Sequence, residues 1–281
     1  MAISPEGFKI FFNKFIDEHA EMFRGKHVVD VPAGTGVTSQ ALIDAGARVS
    51  PFDLFPEYFR VVGLVCQRAN VLDGIPLQRH TADVVICQEG IEHFSDQYKA
   101  LQELNRILKP GGVLLLTTPN ASNLRSKLSY LFSESERFGS LMPPNELDSV
   151  WMVHQQASRE IYFGHIFLIG IQKLRVLARL SGFAIAKIHF EQAKPTSVVL
   201  FPLLYPFIVL VNLWTYLGNL RKASAVPLAR RKEVYGEQLR LSIHPKILVD
   251  GTLFVEFTKE CDAEEVAGRL TSTHESFDVA T

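Results

Sequence analysis

Glu89, Glu92 and His93 form the sharpest chemical cluster in the chain, E-x-x-E-H. Two carboxylates three residues apart, with an imidazole beside them, can point into one cleft from a loop that opens a helix. Such a set of oxygen and nitrogen donors suits a divalent ion such as magnesium. A histidine, with an ordinary pKa of about 6.5, can also take a hydroxyl proton near neutrality. Three readings stand together: a metal site, His93 as a base or orienting group, or a motif that only shapes its loop. A second constellation lies upstream in HVVDVPAGTG, residues 27–36. Apolar residues lead into Asp30, glycines follow at 34 and 36, and Asp53 comes about 20 residues later, the layout of a nucleotide-type binding unit. The spacing is not the dinucleotide one, because no third glycine stands three residues after Gly36.

Alternating elements must position these groups. Strands are expected near 27–31, 48–52, 64–69, 83–88, 113–118, 183–190 and 252–258, with helices between most of them. Residues 5–24 read as a helix over one edge of the sheet, with Phe8, Phe11, Phe12, Phe15 and Ile16 at helical spacing. Residues 97–112 read as a helix stopped by Gly111 and Gly112, with Leu101, Leu104, Ile107 and Leu108 on one face. Strands alternating with helices imply a mostly parallel sheet whose ligands sit beyond the carboxyl ends of the strands. Asp30, Asp53, Asn70 and Gln88 all fall there.

The run from Asp30 through the two glycines to Asp53, the IEHF at 91–94 and RILKPGGVLLLTTPN at 106–120 together resemble the class I S-adenosylmethionine (SAM)-dependent methyltransferases. Among these, the bacterial ubiquinone-type O-methyltransferases and those of surface-glycan gene clusters are most similar, over roughly residues 25–190. The resemblance implies an α/β fold, a Rossmann-like doubly wound seven-stranded sheet, with a lid insertion and an apolar insertion before the last strand. It implies that Asp30 binds the methionine amino group, that Gly34 and Gly36 leave room for the methionine portion, and that Pro32 and Ala33 stiffen that loop. Asp53, with Leu54 beside it, would accept the ribose hydroxyls. Asn70 stands where relatives often carry Asp, and its carbonyl can still accept from the adenine amino group. Val71 would offer its backbone to the ring, Gln88 would lie beside the sulfonium, and Asp73 reads as structural. The metal reading also extends by resemblance, to RNA 2′-O-methyltransferases that pair ExxEH with a distant histidine, for which His165 is available and His154 second.

The 281 residues divide into a core at 1–194 with a substrate lid at 120–165, an apolar and basic insertion at 195–247, a last strand at 248–261 and a flexible tail at 262–281. The formal net charge of −1 argues against a nucleic-acid partner. Cys66, Cys87 and Cys261 are far apart and read as thiols in a reducing compartment. The first ten residues carry no signal-peptide pattern, so a cytoplasmic enzyme is expected, peripheral at the inner face of the membrane. Residues 195–220 contain no charged residue, and Arg221, Lys222, Arg230, Arg231 and Lys232 follow. A single span would separate the last strand from its sheet, so a re-entrant or interfacial hairpin bent at Pro202 and Pro206 is expected. A buried helical pair or a homodimer interface is the alternative. The acceptor expected is a sugar hydroxyl in a glycan or lipid-linked saccharide. The alternatives are a quinone precursor or other lipophilic small molecule, or a SAM-binding scaffold with no catalysis.

Overall fold

The computed structural model describes residues 5–136, 141–147, 149–151, 162–222, 224 and 226–275. The chain opens with helices α1 (Pro5–Glu18) and α2 (Ala20–Phe23), then strand β1 (His27–Asp30), α3 (Val37–Asp44), β2 (Arg48–Asp53), the short β3 (Gln67–Arg68) and β4 (Ala82–Gln88). It continues through α4 (Gln97–Ile107), β5 (Leu108–Pro119), α5 (Leu124–Ser133), β6 (Val150–Trp151), β7 (Tyr162–Phe163), α6 (Ile171–Leu180) and β8 (Phe183–His189). Last come α7 (Pro195–Arg221), α8 (Leu228–Ser242), α9 (Pro245–Val249), β9 (Thr252–Lys259) and α10 (Ala263–Glu275). A seven-stranded sheet runs in the order β3-β2-β1-β4-β5-β9-β8, parallel from β3 to β5, with β9 antiparallel to both neighbours. Chain order reverses between β1 and β4, so their carboxyl ends, at Asp30 and Gln88, flank the crevice where such sheets bind ligands.

Consecutive strand residues face opposite sides, and this splits the core in two. Val29, Val85, Leu114 and Phe257 pack with Leu101, Leu104 and Ile107 of α4 and Leu174 and Ala178 of α6. Val28, Val84, Leu115 and Phe254 pack with Phe12, Phe15 and Ile16 of α1 and Leu42 of α3. Helix α1 therefore covers a face of the sheet rather than its edge, because its aromatic stripe needs the apolar surface that a face supplies; Phe12 lies 5.3 Å from Phe254 between ring centroids.

Three boundaries differ from the sequence expectation. Helix α4 stops at Ile107 and the LKPGG segment already belongs to β5, where Leu108 pairs with Ala82. Pro110 lacks the N–H a helix needs and biases its predecessor to extended backbone, and Lys109 Nζ holds Asp83 Oδ1 at 2.7 Å. The expected frayed tail is helical through Glu275, secured by two bonds of 2.9 Å from Arg79 to Glu264 and by Asp262 bonded to His80. Third, α7 is one continuous helix that carries Pro202 and Pro206 inside it instead of a hairpin bent at them. Each proline removes one i→i−4 bond, and the remaining turns carry the helix through. One face of it is exposed, from Val199 to Leu217, while Leu200, Leu204 and Ile208 are half-buried, and Ser197 is its one fully buried residue, which speaks against the buried-helix alternative.

Candidate active site

Asp30 ends β1 and is buried. Ser39 Oγ donates to its Oδ2 at 2.6 Å, while Oδ1 has no hydrogen-bond partner. Burial pushes this carboxyl up to about 7, and Asp53 nearby adds to the effect. An orphaned carboxylate oxygen beside a glycine turn is complementary to a cationic donor such as an ammonium group. This fits the role that the resemblance implies. The raised pKa has a consequence for stability. The folded state holds a proton that the unfolded chain has lost, so stability is complete below the ordinary value of 3.8 and declines as pH rises through about 7. Asp30→Asn is therefore expected to raise the melting temperature of the apoprotein at pH 8, with the gain vanishing towards acid pH, while S-adenosylhomocysteine binds more weakly. Thermal melts across pH and calorimetric titration check both.

Asp53 ends β2. Its Oδ2 accepts from Gly34 N at 2.7 Å and its Oδ1 from Phe55 N at 2.8 Å. Each oxygen keeps a lone pair, and the residue lines a cavity of about 560 Å³, a volume in the usual range for a small-molecule site. Pro32, Leu54, Asn70, Val71, Glu89 and His93 from the expected set also line it. Asn70 Oδ1 accepts from Leu72 N at 3.0 Å, and its amide donates to Asp73 Oδ2 at 2.8 Å, so Asp73 acts as a structural partner. Asp30, Ala33, Gly34, Gly36 and Gln88 do not line the cavity. Gln88 accepts from Thr38 Oγ1 at 2.5 Å, which ties its side-chain oxygen to α3. Gly36, at φ +87°, lies under the side chains of Phe59 and Val61, and Arg60 N bonds Thr35 O at 3.1 Å. The segment after β2 thus folds over the glycine turn.

Phe55, Phe94, Tyr162 and Phe163 complete the cavity wall and were not singled out from the sequence. Phe55 meets Tyr162 edge-on at 4.9 Å. Tyr162 and Phe163 form β7, whose pairing with β6 makes a ribbon within the expected lid. The concentration of aromatics in that insertion was the available signal.

Glu89, Glu92 and His93 leave β4 in a loop ending in a single 3-10 turn, Ile91–His93. Glu89 lies on the cavity wall in left-handed backbone at φ +47°, a conformation costly for a side chain of this kind. Its buried Oε1 has no hydrogen-bond partner, and burial, with Glu92 and Glu191 adding, holds its carboxyl well above the usual range. Glu92 is buried, with Oε2 accepting from Thr118 Oγ1 at 2.9 Å and Oε1 orphaned. Burial pushes it up to about 7. His93 Nδ1 lies 3.0 Å from Phe163 O and 3.1 Å from Gly164 O. Both are acceptors, so Nδ1 carries the proton, and the neutral ring places its lone pair on Nε2. Burial lowers the His93 pKa below its ordinary value. Nε2 lies 4.0 Å from Glu92 Oε1, and the His165 ring is 5.2 Å away.

One ligand atom each from Glu92, His93 and His165 lies within 4.8 Å of the others. The structure thus brings together three of the four expected metal ligands, and Glu89 stands outside the group. His154 lies outside the described residues. His165 also lines a second cavity of about 330 Å³, walled by Asn120, Asn123, Arg125, Ser126, Glu136 and Lys194. The His93–His165 pair joins the two cavities, His93 lining the first and His165 the second.

Comparison with known proteins agrees with this fold. A family model described as a methyltransferase domain matches residues 11–188. The ubiquinone biosynthesis O-methyltransferase of Nitrosospira multiformis is 32% identical over 128 residues, covering 42% of this chain and 52% of that protein. That of Psychrobacter arcticus is 36% identical over 126 residues, covering 41% and 48%. The chain therefore spans about half the length of the curated relatives it matches. A SAM-dependent methyltransferase structure from Archaeoglobus fulgidus aligns over 89% of this chain and 94% of its own, with a TM-score of 0.53 and 11% identity. A structure from Bacillus halodurans titled a methyltransferase aligns over 89% and 99%, with a TM-score of 0.51 and 14% identity. With the family model spanning β1 to β8 and the fold shared along nearly the whole sheet, the chain belongs to the methyltransferase-domain family and has the Rossmann-like fold of SAM-dependent methyltransferases.

Proposed function

We propose that this chain is a SAM-dependent O-methyltransferase that uses His93 to take the acceptor's hydroxyl proton. The observation that carries this reading is the tautomer of His93, a residue of the cavity wall whose Nδ1 is held by two carbonyls. Asp53, Leu54, Asn70 and Val71 would hold the nucleoside portion, and Asp30 the amino group. SAM supplies an activated methyl group when bound. The protein's own work is to align the acceptor oxygen and remove its proton, both of which lower the barrier. The two carbonyls on Nδ1 stabilise the imidazolium that results, and Glu92 Oε1 at 4.0 Å adds a nearby acceptor for it.

The second cavity suits an acceptor with hydroxyls on an otherwise apolar frame, because amide, hydroxyl, carboxylate and cationic groups line it beside Pro119, Ala121 and Leu168. This favours a sugar hydroxyl in a glycan or a lipid-linked saccharide. A phenolic quinone precursor is the competing acceptor, favoured by the names of the relatives that match the core. Methyl transfer from labelled SAM to a glycoside panel and to a soluble catechol separates them. Labelled glycoside supports the first; label in catechol alone supports the second.

A divalent cation is a second reading of the same cluster. The orphaned Oε1 of buried Glu92, with His93 and His165 in reach, is the observation that favours it. Glu92, His93 and His165 would hold the ion, and it would supply Lewis acidity to an acceptor hydroxyl. Thermal melts with magnesium, manganese or zinc test this. A stabilisation by one of them that disappears in His165→Ala supports the metal. No shift with any ion, together with turnover that survives both EDTA and His165→Ala, leaves His93 as the base alone.

A further inference from the structure

Helix α7 presents an apolar stripe that nothing in the described chain covers. Val199, Leu203, Phe207, Leu210, Trp214 and Leu217 recur at spacings of three and four and are exposed, Trp214 by 80%. The stripe is about 27 Å long at 1.5 Å per residue. Single exposed apolar residues are ordinary on a soluble protein, but a continuous patch of this extent marks an interaction surface.

Two polar side chains in the middle of α7 are turned back onto the helix itself. Asn212 Nδ2 donates to Ile208 O at 2.8 Å, and Thr215 Oγ1 to Val211 O at 2.9 Å. Each thereby directs a donor to its own helix instead of outward, the arrangement favoured where the surroundings cannot hydrogen-bond. Protein interfaces, in contrast, carry direct hydrogen bonds and a polar rim around their core.

The carboxyl end of α7 is basic. Arg221, Lys222, Arg230, Arg231 and Lys232 face a single acid, Glu233, between residues 221 and 233. Arg230 pairs with Glu233 at 2.8 Å, and Arg231 caps the helix by donating to Leu220 O at 3.1 Å and Lys222 O at 2.7 Å. Arg221, Lys222 and Lys232 remain exposed, a positive end complementary to anionic headgroups.

The chain on both sides of the insertion returns to the same sheet. Lys194 N bonds Val249 O at 2.8 Å, and Ala193 bridges Asp250 just before β9. Helix α8 carries charges along its length and docks on α6 through Arg175–Glu237 at 2.9 Å. A crossing would drag this charged helix into hydrocarbon, so the partner must lie along α7, not around it.

We propose that α7 lies in the plane of a phospholipid leaflet containing anionic lipid, its stripe at the acyl boundary and its basic end on the headgroups. Lys194, the residue that precedes α7, also lines the second cavity, so an acceptor anchored in that leaflet would reach the cavity from the helix foot. The docking itself does not depend on the identity of the acceptor.

Flotation of the full chain tests it, with vesicles of phosphatidylcholine alone and with added phosphatidylglycerol. The expected result is co-flotation with the anionic vesicles that weakens with salt. The Leu210→Glu/Trp214→Glu variant should partition at least about tenfold less while keeping its circular dichroism and S-adenosylhomocysteine affinity. Arg221→Glu/Lys222→Glu should remove the salt-sensitive part. Protein that stays at the bottom with both vesicles overturns the proposal. So does a dimer in light scattering that Leu210→Glu/Trp214→Glu dissociates without any vesicle binding, which would assign the stripe to a second copy of the chain.

Discussion

His93→Ala is expected to leave S-adenosylhomocysteine affinity unchanged and to lower turnover by about 10²- to 10⁴-fold, the range for loss of a positioned general base. Calorimetry and single-turnover assays read the two separately. The split follows from the position of His93. Its ring is held by the carbonyls of Phe163 and Gly164 and not by the groups that bind Asp53. The pH profile adds a second check. Burial lowers the His93 pKa, so the neutral, proton-accepting ring persists to lower pH than an exposed histidine would allow. Turnover should rise with pH through a limb below the ordinary value of 6.5, and that limb should be missing from the residual rate of His93→Ala. Equal losses of cofactor affinity and turnover in this variant would sink the assignment.

Asp53→Ala is expected to weaken S-adenosylhomocysteine binding by about 100-fold, because two hydrogen bonds to a charged acceptor are lost at roughly 1.5–3 kcal/mol each before compensation by water. The same change strands Gly34 N and Phe55 N, which now close the loop onto that carboxylate, so part of the loss is loop order. Asp53→Asn keeps one carbonyl oxygen and should fall between the two. With saturating SAM, turnover of Asp53→Ala should recover most of its value, the opposite pattern from His93→Ala. Retained affinity in Asp53→Ala would place the ribose elsewhere in the cavity.

Much of the site lies within short stretches of chain, which is why it could be read without coordinates. Asp30 and Gly34 are bound to β1 by local geometry, and Asp53 follows one helix later, so their convergence is a property of a single β-α-β unit. Glu89, Glu92 and His93 come from one loop leaving β4, and sequence proximity alone keeps them together. The strand positions were legible for the same reason, since buried β-branched and leucine runs such as those of β4 and β5 carry their own signal.

Positions that depend on distant partners were not legible. That Thr38 of α3 bonds the side chain of Gln88 could not be read from the position of Gln88 at the end of β4. The glycine turn was expected to stay open, but Phe59 and Val61 fold over Gly36 from a segment with no periodic signal. The end of α4 was put at the glycines, whereas pairing of Leu108 with Ala82 starts the strand earlier.

By itself, the sequence determined the sheet, the order of the acidic residues along it and the chemistry of the ExxEH loop, because each rests on local backbone rules and periodic burial. Only the tertiary structure decided that His165 joins Glu92 and His93 while Glu89 does not, and that the lid carbonyls set the His93 tautomer. It also decided that α7 runs straight through its prolines with its apolar side exposed. These outcomes depend on contacts between residues some 70 positions apart, or on which neighbours remain to cover a surface, and no local pattern encodes either.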